Sequence, residues 1–200
     1  MKNKLLILII YVFIFLAITA CDATFNGKVI DADTKQPIVG AVVVASWHEE
    51  TSYVDGQHSR LMDVKEVLTD KNGEWVIKGS RGREMGNITA IFTFITGTYI
   101  TNPPQFIIFK PEYCPWNPWG ISVFDIDTCR EKLKPKEVDS FIKGETVELP
   151  RLTSREDRLR AIGISPPLMD GDTEMLKKIK EFIKLKNEER KYLGLEKVDF

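Results

Sequence analysis

The chain has 200 residues, 43% hydrophobic and 28% charged, with 28 Lys and Arg against 29 Asp and Glu. That is the composition of an ordinary globular protein of one or two domains, and a net charge of −1 excludes a strongly basic nucleic-acid binder and an acidic disordered tail. Two His and three Cys leave little material for a His-based metal site or a zinc ribbon. At the N-terminus, Met1–Lys4 carries two Lys and no acid, and Leu5–Ala20 is sixteen residues of almost unbroken apolar character. A charged start and a short apolar run are the first two regions of a secretory signal, whereas a permanent spanning helix takes about 20 apolar residues.

The apolar run ends in Leu16-Ala17-Ile18-Thr19-Ala20-Cys21, followed at once by Asp22. Small residues before a Cys at this border resemble the lipobox of bacterial lipoproteins. The resemblance implies that residues 1–20 are removed and that Cys21 becomes the acylated first residue, with 21–24 as a short tether. Several acyl chains anchor stably where one binds marginally. The expected location is extracytoplasmic, lipid-anchored to a bacterial membrane, inner or outer.

From Phe25 onward, short β-branched runs alternate with turn residues. They predict strands at 25–31, 41–47, 61–69, 75–78, 88–95, 106–110, 121–126 and 146–149. Ala41–Ala45 reads as a strand buried on both faces. Two turns set the register: Asp33–Pro37, and Asp70-Lys71-Asn72-Gly73, where Gly supplies a positive φ. Asp31, Asp33, Asp70 and Asn72 lack the spacing of a calcium loop and are better explained as turn residues. Strands without intervening helical patterns favour an antiparallel β-sandwich over βαβ units.

Gly27–Asp31, Gln36–Val43 and Thr69–Ile77, followed by Phe106–Tyr113 and the closing 146–152, resemble the carboxypeptidase regulatory-like domain. Members carry Gly-Tyr where this chain has Glu112-Tyr113. The resemblance spans 25–152 and implies a mainly β, seven-stranded transthyretin-like (Greek key) sandwich that serves as an accessory module and not a catalytic one. In it Gly40 permits a bend before a buried strand, and Trp75 buries its ring.

Residues 153–200 predict a helical extension. Ser154 is placed as an N-cap with Asp157 three residues on, and that helix ends near Gly163, before Pro166-Pro167. A longer helix is expected over about 172–192, with Met175, Leu176, Ile179, Phe182 and Ile183 on one face and Gly194 as its stop. Lys186 and Arg190 intrude on that face, so burial should weaken toward the C-terminus. The basic excess of this helix would suit an anionic bilayer, although a solvated face of a packed helix explains it more simply.

Chemistry-bearing clusters are sparse. His48-Glu49-Glu50 with His58 has metal-ligating types but no H-E-x-x-H spacing, and reads as an ordinary surface segment. No G-x-S-x-G elbow surrounds a Ser, and no Gly-rich loop opens onto a helix. The expectation is a non-enzymatic chain with no catalytic residues, no metal, no cofactor and no nucleic-acid partner. With Cys21 lipidated, Cys114 and Cys129 are expected to pair, because an extracytoplasmic compartment favours oxidation; two buried free thiols are the alternative. Tyr113–Gly120 holds Tyr113, Trp116 and Trp119 with two Pro. These aromatics suit a glycan or protein partner, or else cover the open end of the sandwich. Two function classes follow: a lipid-anchored envelope module recognising a protein or glycan, and a purely structural accessory lipoprotein that pairs a sheet edge with another envelope protein.

Overall fold

The computed structural model describes residues 22–54, 56–83, 86–117, 127–133, 138–165 and 173–198. It is mainly β, with seven strands in two sheets among these residues. In chain order the elements are β1 (Asp22–Asp31), β2 (Val42–Tyr53), β3 (Gly56–Leu68), β4 (Glu74–Ser80), α1 (Asn87–Thr96), β5 (Ile100–Thr101) and β6 (Gln105–Phe109). There follow α2 (Asp127–Lys132), α3 (Val138–Ile142), β7 (Thr146–Leu149), α4 (Arg155–Ala161), α5 (Thr173–Leu176) and α6 (Lys180–Tyr192).

One sheet has the order β4-β1-β7; in the other, β2 pairs with β3 on one side and with β5 and β6 on the other. Strand alternation directs Phe25, Val29, Trp75, Ile77, Val147 and Leu149 of the first sheet into one core with Val43, Ala45, Trp47, Phe106 and Ile108 of the second. The opposite face of the second sheet, with Val42, Val44, Ile107 and Phe109, packs against Ile162, Ile164, Ile179, Phe182, Leu185 and Leu193. The run Val42–Ala45 is therefore buried on both faces, sheet on one side and helix on the other. Gly79 is needed for close approach: a Cβ there would lie 2.3 Å from the Trp47 ring.

The turns follow their side chains. Asp70 Oδ1 accepts from the N–H groups of Asn72 and Glu74, both at 2.8 Å, and Gly73 takes φ +76°. Ser154 Oγ accepts from Asp157 N at 3.0 Å, capping α4 as expected.

Four expectations are corrected. The sheets are not wholly antiparallel: β1 runs parallel to β7, which the chain reaches through a long connection carrying α2 and α3. The segment 88–95 is helix α1, not a strand. Its Thr93 and Thr96 hydroxyls donate to the carbonyls of Ala90 and Phe92, and Gly97 closes it at φ +65°. The helix expected over 172–192 is interrupted, and α6 begins after Ile179, where both Glu66 carboxylate oxygens of β3 accept from Glu181 N and Phe182 N. Finally, burial does not weaken along α6. Lys186 is itself buried, donating to Ile164 O and Ser165 Oγ at 2.7 and 3.0 Å, and Leu193 closes the layer. The expected strand at 121–126 lies outside the described residues. Among the described residues no helix is long and apolar enough to cross a membrane.

Candidate functional site

The segment after β6 gathers most of the residues singled out in the sequence. Lys110 turns back on the β2 entry, its Nζ donating to Val39 O at 2.9 Å and Gly40 O at 3.3 Å, and burial lowers its pKa. Glu112 then takes φ +72°, the left-handed conformation that Gly adopts without steric cost. This aims Tyr113 back toward β1, where its hydroxyl donates to Asp31 Oδ2 at 3.1 Å. Asp31 Oδ1 accepts from Asp33 N and Thr34 N at 2.9 and 2.8 Å. Burial alone would raise the Asp31 pKa, but the N–H groups of Thr34 and Asp33 and the Tyr113 hydroxyl outweigh it and hold it low. Burial first, and then the Asp31 carboxylate, push the Tyr113 phenol up.

Trp116 does not present a surface. It exchanges backbone hydrogen bonds with Ile108 at 2.9 Å, and its ring lies edge-on to Phe141 with centroids 5.3 Å apart. At 3% exposure it is core. As a stacking platform for a glycan or protein it is corrected; its aromatic area goes into covering the end of the core, the other reading open to it. Tyr113, half-buried and bonded to Asp31, spans two elements. Trp119 lies outside the described residues, as does Cys21.

Cys114 and Cys129 are joined in a disulfide with Cα atoms 5.6 Å apart, closing a connection of 15 positions. Both are fully buried and pack with Leu152 and Ala161, so the bridge ties the segment after β6 to α2 and to α4. Backbone bonds from Cys114 N to Pro150 O at 2.9 Å and from Leu152 N to Glu112 O at 2.7 Å hold the same segment beside the end of β7.

A charged network missed in the sequence extends from this point into the helical layer. Glu112 accepts from Arg151 and lies 3.6 Å from the Arg158 guanidinium. Arg158 makes a two-pronged bond to Glu189 of α6, with Nε to Oε1 at 2.6 Å and Nη2 to Oε2 at 2.7 Å, and stacks over the Tyr192 ring at 3.9 Å. The hydrogen bonds to Glu189 are the main reason that the Arg158 pKa is raised. The arrangement is a structural clamp between elements, with both charges of its inner pair buried. Residues 31 positions apart leave no local pattern that could have announced it.

The two His residues are not brought together. His48 pairs across the ladder with Leu61, and His58 with Thr51. An offset of three residues places them on opposite faces, roughly 10 Å apart along the strand. His58 lies edge-on to Tyr53. Among the described residues no group of three His, Cys, Asp or Glu could hold a metal ion.

No protein-family profile matches the sequence. No curated protein matches it either. Among solved structures, two single-site variants of catechol 1,2-dioxygenase from Acinetobacter radioresistens share part of the trace at 17% identity, with TM-scores of 0.32 and 0.33. The match covers 68% of this chain and 54% of those, so the chain spans about half the length of these proteins. At those values the likeness carries no argument about what this chain does. These two structures are of an enzyme, so the expectation of a non-enzymatic chain is not upheld and is dropped; no activity of this chain follows from them.

Proposed function

We propose that this chain is a lipid-anchored module of the bacterial cell envelope that recognises a protein or a glycan, built on a transthyretin-like sandwich with a docked helical extension. The sequence from Met1 to Cys21 carries the reading: a basic start, sixteen apolar residues and small residues immediately before a Cys. Two features support it. The first strand begins at Asp22, inside the 21–24 stretch read from the sequence as a tether, so an acyl group on Cys21 would hold the sheet close to the bilayer. The other two Cys residues form a buried disulfide, a bond that persists in oxidising compartments. The carboxypeptidase regulatory-like resemblance belongs to the same proposal, as do retention at the inner or outer membrane and the choice of partner.

The test is metabolic labelling with a fatty-acid analogue, followed by membrane fractionation, of the full chain and of Cys21→Ala. The wild type should be labelled and membrane-bound, and the variant unlabelled. Undiminished labelling and membrane retention of Cys21→Ala would overturn the reading.

A further inference from the structure

Helix α1 is amphipathic in the reverse of the usual sense. At 100° per residue, Phe94, Ile91, Ile95 and Phe92 cover an arc of about 160°. Their exposures run from 53% for Phe94 to 75% for Ile95. Opposite that arc, Thr93 is fully buried, its hydroxyl accepting from Ser52 N of β2 at 3.3 Å. Beside the helix, the β2–β3 hairpin adds Tyr53 and Val54, the latter 93% exposed, to this face, while its β3 side turns out through the polar Gln57 and His58 and Asp55 follows Val54 in the sequence. No charged residue occurs between Glu84 and Lys110, a stretch of 25 residues. Single exposed apolar side chains are commonplace, but a contiguous group of this kind marks a contact surface.

Its position identifies the occupant. β1 leaves Cys21 at Asp22, whose partner in the ladder is Ser80. Ser80 O accepts from Trp47 Nε1 at 2.7 Å, which sets Trp47 at the Asp22 end of the two sheets. From Trp47, β2 continues to Tyr53, six further residues or roughly 20 Å in the same direction. Helix α1 is bonded to the last part of that extension through Ser52. The apolar helix and hairpin tip therefore lie at the end of the molecule where the chain from Cys21 enters, farther out than the strand to which Cys21 is joined. The other end carries the Asp70–Gly73 turn, with exposed Lys71.

We infer that helix α1 and the β2–β3 tip dip into the surface of the bilayer that holds the acylated Cys21, giving the module a second, protein-made contact that fixes its orientation on the membrane. The inference rests on the lipid-anchor reading for where the bilayer lies. Because β1 begins at the residue next to Cys21, the apolar helix that projects beyond it meets the headgroup region. Ile and Phe side chains on one face of a short helix enter such an interface to the depth of the acyl boundary. Tyr53, 45% exposed, belongs to the patch, and Tyr is the residue type that settles at headgroup level.

The experiment uses the full chain, with Ile95→Cys and, separately, Lys71→Cys carrying an environment-sensitive fluorophore. Each protein is reconstituted in phosphatidylethanolamine–phosphatidylglycerol vesicles containing nitroxide-labelled phosphatidylcholine. Both positions are exposed, so neither substitution threatens the fold. Fatty-acid labelling of Cys21 is measured on the same samples. Expected are a blue-shifted probe at 95, quenched several-fold more by nitroxide lipid than the probe at 71, and iodide quenching in the reverse order. If Cys21 is labelled while the probe at 95 is as open to iodide as that at 71, the inference is wrong. A probe at 95 shielded from both iodide and nitroxide lipid would mean that protein covers the helix, a partner or residues 5–20, and would also overturn it. Quenching by lipid at 95 without acylation of Cys21 would leave the helix–bilayer contact standing and remove the lipid-anchor reading instead.

Discussion

Replacing Glu189 with Ala removes one half of a buried ion pair and leaves the other in place. Arg158 and Glu189 side chains are 9% and 4% exposed and joined by two hydrogen bonds. Truncating one member of such a pair costs about 3–5 kcal/mol, because the survivor is left desolvated and uncompensated. Arg158 keeps Glu112 at 3.6 Å and the Tyr192 ring at 3.9 Å, so the lower end, about 3 kcal/mol, applies. With a urea dependence of about 2 kcal/mol/M, the unfolding midpoint of Glu189→Ala should fall by roughly 1.5 M. The double replacement Arg158→Met with Glu189→Leu fills the same space without charge and should recover most of that loss, since buried pairs are often neutral relative to apolar residues of similar volume. Urea titrations followed by tryptophan fluorescence measure both, the four Trp residues serving as the reporter. A Glu189→Ala midpoint within about 0.3 M of wild type would show that the pair is not desolvated in solution, and would refute the docking of α6 through this clamp.

Two further outcomes are expected. Reduction of the Cys114–Cys129 bond, or Cys114→Ala with Cys129→Ala, should lower stability by about 3 kcal/mol, the loop-closure value for a separation of 15; equal urea midpoints with and without reductant would contradict this. Asp31 has a folded pKa below its ordinary 3.8, so its contribution to stability is present above that value and is lost as pH falls through the lower folded one. Tyr113→Phe removes a donor to the carboxylate and should cost about 1 kcal/mol near neutrality, while losing less than wild type on further acidification. Denaturation curves between about pH 4 and pH 2 compare the two, and parallel acid profiles would exclude a Tyr113–Asp31 bond that matters.

The parts of the fold legible in the sequence are those whose cause is local. Asp70 and Gly73 make their turn with their own side chain and backbone, and Ser154 caps α4 through Asp157 three residues on. Strands whose apolar residues alternate, such as Trp75–Lys78, could be placed for the same reason. The misread helix α1 carried its signal too, since Ile88, Ile91, Phe92 and Ile95 recur at helical spacing. Its Ile and Thr content suggested a strand, but Thr hydroxyls bonded to the preceding turn satisfy themselves inside a helix. The break before α6 could not be read, because the group that receives its first N–H groups is Glu66, 115 positions earlier. Burial of Lys186 depended likewise on Ile164 O, a backbone acceptor supplied by another element. Trp116 was open between surface and core, and only the closing of α3 over the core, with Phe141 against its ring, decides it.

Glu112 joins these separate outcomes into one mechanical unit. A non-Gly residue in the left-handed region costs on the order of 1 kcal/mol, so the conformation persists only where its surroundings hold it. Here the backbone on its C-terminal side is pinned by the Cys114 disulfide and by Cys114 N to Pro150 O. Its own carbonyl takes Leu152 N, and its carboxylate reaches Arg151 and Arg158. The same turn sends Tyr113 to Asp31 on β1. Strand, disulfide segment and helical layer thus share one backbone conformation. Perturbations at Glu189, at Cys114 and at Tyr113 act on groups that meet at Glu112, so their effects on stability are coupled, not additive, as those of distant sites would be. The coupling also explains why a charged residue can occupy a position suited by conformation to Gly. The strain at φ +72° is offset by two guanidinium contacts that Gly could not make, and the one from Arg158 attaches α4 to the segment after β6.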